Sequence, residues 1–147
     1  MLPKLLHTTL LCSVLASTSV GAEDAGPIAI RCQGTAELKY KGKISRSWPT
    51  RIYVIDSSKK WIAYWNPDKE EQIPVCQSNW QKCIIEFGPR IIEASGNLNQ
   101  FYGFYMTIDR RDGFLDYRSL SNESKWDFVG HCVKIDMPTP SATENKF

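Results

Sequence analysis

The sequence predicts an all-β domain: an antiparallel meander of about 8 strands, closed as a small barrel or folded as a sandwich and stapled by two disulfides. Three observations carry this. Apolar and polar residues alternate with period two through most of the chain, as half-buried strands require. Turn-forming clusters interrupt the alternation at short intervals, with no convincing helical stretch between them. An even number of cysteines follows a segment that reads as an export signal.

The amino-terminal segment fixes the expected compartment. Lys4 precedes an apolar run from Leu5 to Val20 that is interrupted by hydroxyl residues, and Val20-Gly21-Ala22 offers small or β-branched residues before Glu23. This is the pattern of a secretory signal peptide over residues 1–22, with cleavage after Ala22. A membrane anchor would need about 18 uninterrupted apolar residues and a basic flank. Cys12 lies within the apolar run and leaves with the signal. Of 147 residues, removal of 22 leaves 125, enough for one domain over 23–136 with one core. Residues 137–147, with Pro138 and Pro140 and no periodicity, are expected to form a disordered tail.

Loss of Lys4 leaves 17 basic against 16 acidic residues, a net charge of about +1. That balance excludes the basic footprint of a nucleic-acid binder. The cluster Lys39, Lys41, Lys43, Arg46 and Arg51 reads as the solvated face of a strand and its following loop. No membrane span is expected after processing, and a monomer in the periplasm or the medium is expected.

The strand-like runs begin with Ala36-Glu37-Leu38-Lys39-Tyr40-Lys41, where the two kinds of residue alternate. Others are 51–56, 61–65, 73–77, 83–87, 90–94, 101–110, 114–121 and 125–135. The strongest is the hairpin around Asp109-Arg110-Arg111-Asp112-Gly113, with glycine at a position of positive φ. In a closed meander the first and last strands are neighbours, so Cys32 is expected to pair with Cys132. Cys76 and Cys83 end two consecutive runs joined by six residues and are expected to pair with each other. None of the four cysteines has the close spacing of a zinc knuckle, so neither a metal nor a cofactor is expected.

Chemistry-bearing motifs are sparse. His131 is the one histidine left after processing, and neither a nucleophile elbow nor a phosphate-cradling loop is present. A hydrolase would have to be built from carboxylates among Asp56, Glu86, Glu93, Asp109, Asp112, Asp116 and Asp127. Trp61, Trp65 and Trp126 are expected in the core. Trp80 is different, because it sits in the polar loop 77–82 between Cys76 and Cys83. A large ring on a rigid loop offers contact area at low entropic cost. The expected function is therefore an envelope binding module for a protein, peptide or glycan, with a small carboxylate-based hydrolase as the alternative.

Three short motifs, Cys32-Gln33-Gly34, Ile108-Asp109-Arg110-Arg111-Asp112-Gly113 and Gly130-His131-Cys132-Val133, resemble those of a loose group of small exported bacterial β proteins of unknown function. That resemblance implies a fold and a compartment. Ala94-Ser95-Gly96 also resembles the opening of the Ser-Gly-x-x-Tyr loop of periplasmic c-type lysozyme inhibitors, with Asn99 in place of the tyrosine. This second resemblance implies an inhibitor-like role in which Ser95 and Gly96 join Trp80 as ligand-binding residues.

Overall fold

The computed structural model describes residues 26–140. The proposed cleavage site and residues 141–147 lie outside them. Ten antiparallel strands form one sheet: β1 (Ile28–Tyr40), β2 (Lys43–Ser47), β3 (Thr50–Asp56), β4 (Trp61–Asn66), β5 (Glu71–Pro74), β6 (Lys82–Phe87), β7 (Ile91–Asn99), β8 (Tyr102–Asp109), β9 (Phe114–Leu120) and β10 (Ser124–Ile135). Their order is β5-β4-β3-β1-β10-β9-β8-β7-β6, and β2 pairs with β1. The sheet is all-β and curls into a half-barrel. It does not close: among the described residues no ladder joins β5 to β6, and the two edges are linked by the loop that carries Cys76 and Trp80.

The strand missing from the sequence reading is β2. All five of its residues are exposed, so its side chains show no alternation to read. It is held by a two-residue turn in which Lys41 and Gly42 both have positive φ, 47° and 77°. β2 and β3 run along one side of β1 in a single register, Ala36 opposite Ser47 and Gln33 opposite Thr50. Only the ladder breaks between them, at Trp48-Pro49, because proline has no N–H to donate.

Side-chain capping sets the turns. Asn66 Oδ1 accepts from the backbone N–H of Asp68 at 3.0 Å, Asn99 Oδ1 from Phe101 at 2.8 Å, and Asp112 Oδ1 from Phe114 at 2.9 Å. These short polar side chains mimic a backbone acceptor, which is why Asn and Asp mark the ends of the runs. Asp56, nearly buried, accepts from the Ser58 hydroxyl at 2.6 Å and the Lys59 N–H at 3.1 Å. The Ser58 hydrogen bond leads the interactions that hold its carboxyl below the usual range.

β1 and β10 make the longest ladder, twelve opposed pairs from Ala29–Ile135 to Tyr40–Ser124. Cys32 and Cys132 are directly opposed and bonded, with Cα atoms 3.9 Å apart, and Cys76 is bonded to Cys83. Two residues further along the same face, Gly34 stands opposite Gly130. A Cβ on Gly34 would strike the Val129 carbonyl oxygen, and one on Gly130 would lie 2.6 Å from the Gln33 oxygen and 2.9 Å from the Phe128 ring. Gly113, with φ of 73°, accepts the Cys132 N–H on its carbonyl at 2.8 Å. The three motifs that suggested a bacterial protein group thus meet at the β1–β10 junction.

The inner face carries the core: Ile30, Cys32, Ala36, Tyr53, Ile55, Ile62, Ile92, Ala94, Phe104, Met106, Ile108, Leu115 and Phe128 are all buried. A smaller apolar set, Ala29, Val54, Ala63 and Trp65, is buried on the opposite face. Trp65 is therefore buried as expected, but outside the main core, and Trp61 and Trp126 are half-buried.

Two stability predictions follow from the β1–β10 junction. Chain entropy assigns about 4.7 kcal/mol to a bridge spanning 100 residues and about 2.4 kcal/mol to one spanning 7. Chemical denaturation of Cys32→Ser/Cys132→Ser should accordingly show about twice the loss found for Cys76→Ser/Cys83→Ser. Gly130→Ala should cost about 2 to 3 kcal/mol, since the clash is with backbone that cannot move away. Gly26→Ala, with nothing within 4 Å of the added carbon, should be silent by the same assay.

Candidate functional site

The strand register divides the expected site residues. Ser95 and Gly96 are consecutive in β7, so they face opposite sides of the sheet. Gly96 faces inward, where an added Cβ would lie 2.6 Å from the Phe104 ring, 3.0 Å from Cys83 Sγ and 3.2 Å from the Trp80 ring. Trp80 is half-buried and meets Phe104 edge-on, with ring centres 5.2 Å apart. Trp80 and Gly96 therefore belong to one interior contact. Ser95 lies on the outer face in a shallow hollow of about 140 Å³ with Ile84, Glu86, Glu93 and Tyr105.

The interior contact continues as an aromatic arc. Phe104 stacks on Tyr117 at 6.0 Å, Tyr117 meets Trp126 edge-on at 5.4 Å, and Trp126 stacks on Phe128 at 5.9 Å. Arg51 closes the arc, its guanidinium carbon 4.6 Å from the Trp126 ring centre and 4.8 Å from that of Tyr64. This corrects the reading of Arg51 as part of a solvated face. Lys39, Lys41, Lys43 and Arg46 are exposed, but Arg51 is opposite Cys32 and shares its inward phase. Burial pushes the Tyr53 and Tyr117 hydroxyls above the usual tyrosine range. The arc's rings are satisfied largely by one another.

The candidate carboxylates are divided among separate places, Glu86 and Glu93 at the shallow outer hollow and Asp109 and Asp112 in the β8–β9 turn. Glu86 and Glu93 are opposed on the outer face of β6 and β7, where the Tyr105 hydroxyl donates to Glu93 at 3.0 Å. Asp116 is paired with Arg118 at 2.7 Å and Asp127 with Lys125 at 2.7 Å, also on that face. His131 is exposed and meets Phe114 edge-on at 5.5 Å.

A different part of the molecule forms a hollow of about 460 Å³ at one open end of the half-barrel. Its floor is aliphatic: Ile28, Ile30, Ile55, Ile92 and Ile108, from β1, β3, β7 and β8. Its rim is the β8–β9 turn, Asp109 to Gly113, with Cys132 and Lys134 of β10. The turn is braced. Asp109 accepts from the Arg111 N–H at 2.9 Å and binds the Arg90 guanidinium at 2.9 Å, and these two partners hold its carboxyl below the usual range. Arg110 donates to the Gly88 carbonyl at 3.2 Å. Sequence reasoning found the turn but missed the mouth, because the floor comes from four strands far apart in the chain. The consecutive cations Arg110 and Arg111 at a turn were the one legible signal. No known family, curated protein or solved structure matches this chain.

Proposed function

We propose that this protein is an exported binding module that takes an aliphatic group into the mouth of its half-barrel. The observation that carries this reading is the convergence of five isoleucines on an open hollow of about 460 Å³. That volume falls within the range of about 300 to 1,000 Å³ typical of small-ligand sites, and barrel mouths are a preferred place for them. The export part of the reading rests on the leader sequence and on two disulfides, which suit an oxidising compartment.

Binding is favoured over hydrolysis by where the carboxylates lie. Most lie on the outer face, engaged by Arg, Lys or Tyr, and the two that reach the rim of the mouth, Asp109 and Asp112, are held by Arg90 and by the Phe114 N–H. The nature of the floor narrows the class of ligand. Glycan sites want an open aromatic platform, and here the interior rings pack on one another while the mouth offers branched alkyl groups. An acyl chain or the aliphatic end of a peptide suits such a floor.

Isoleucine methyl NMR tests the reading with a neutral probe. Titration with 1-decanol should shift the methyl signals of Ile30, Ile55, Ile92 and Ile108 together. Shifts confined to residues around Trp80 and Trp126, or none at all, would refute binding at the mouth.

A further inference from the structure

We infer that the ligand of the mouth is a free amphipathic anion, a single aliphatic chain ending in a carboxylate. This rests on the mouth-binding reading above and adds the charge of the head group to it. Three cations line the hollow, and a fourth, Arg90, is bound to the rim residue Asp109. Arg90 is neutralised by Asp109 through two contacts at 2.9 Å, from Nε and from an Nη. The three that line it are Arg110 and Arg111 from the turn, and Lys134 from β10. Arg110 is engaged only by a neutral carbonyl, that of Gly88. Arg111 and Lys134 have no acidic partner among the described residues. Two acids stand on the rim: Asp109, which Arg90 neutralises, and Asp112, whose Oδ1 accepts the Phe114 N–H, so the cations remain in excess.

Lys134 shows that this placement departs from the ordinary pattern of a strand. Alternation along β10 gives it the phase of Phe128, Gly130 and Cys132, and it stands directly opposite the buried Ile30. A cation with the inward phase, one rung from the end of the β1–β10 ladder, lies at the boundary between aliphatic floor and solvent. Its alkyl stem can lie along the isoleucines while the ammonium stays at the rim. A lined concavity with an excess of one charge attracts the opposite charge more strongly than a flat surface would. The floor then selects the body of the ligand and the rim selects its head. A single chain is indicated because the hollow lies in the lower half of the small-ligand size range.

The test is calorimetric titration of the full exported protein with three probes: decanoate, 1-decanol and octanoate. Decanoate should bind at least about tenfold more tightly than decanol, the equivalent of ~1.4 kcal/mol. Octanoate, two methylenes shorter, should bind about 15-fold more weakly than decanoate, at ~0.8 kcal/mol per methylene. Arg111→Glu/Lys134→Glu alters two exposed side chains and should abolish the preference for decanoate over decanol. Equal affinity for decanoate and decanol would overturn the anionic head and leave the aliphatic mouth standing. Failure of all three probes to bind would overturn both. Retention of the full carboxylate preference by the charge-reversed variant would also contradict the inference, since the selectivity would then not come from this rim.

Discussion

The structure depends on the junction of its first and last strands. β1 and β10 approach closely at the Cys32–Cys132 bridge, and the facing glycines Gly34 and Gly130 allow that approach to continue past it. A side chain at either glycine would strike backbone of the opposite strand. The junction also holds the β8–β9 turn, because Gly113 accepts the Cys132 N–H while in a conformation that favours glycine. Chain ends separated by 100 residues are thereby joined in the middle of the sheet, and the remaining strands extend outward to two free edges.

Side-chain length then decides which part of the interior fills. In one half of the curl Trp80, Phe104, Tyr117 and Trp126 are long enough to meet one another in sequence, and Trp126 and Tyr64 flank Arg51. Toward the other end the inward positions are isoleucines, whose branched side chains cover the sheet but do not span the opening. The result is a filled aromatic half and an aliphatic cup.

Much of this architecture was legible in the sequence. Period-two alternation located most of the strands, and the reasoning that neighbouring first and last strands bring Cys32 to Cys132 holds without full closure of the barrel. The glycine of the β8–β9 turn adopts the positive φ that its place in the sequence indicated. β2 was hidden because a strand exposed along its whole length has no buried face to mark it. Alternation also shows that Ser95 and Gly96 cannot both face one ligand if they lie in a strand, a consequence that the likeness to an inhibitor loop obscured. Arg51 was grouped with its basic neighbours by composition, although its phase is that of Tyr53. The mouth could be recognised only from the register of the sheet, which brings Ile30, Ile55, Ile92 and Ile108 to one end.

The central claim is that the β1–β10 junction builds the mouth. Cys132 lines the hollow, while neither Cys76 nor Cys83 does. The direct measurement is the dissociation constant for 1-decanol of the two bridge-free variants, at a temperature where both are folded. Cys32→Ser/Cys132→Ser should weaken binding by about tenfold or more, ~1.4 kcal/mol, and Cys76→Ser/Cys83→Ser should bind as the parent does. Unchanged binding without the long bridge, together with lost binding without the short one, would contradict it.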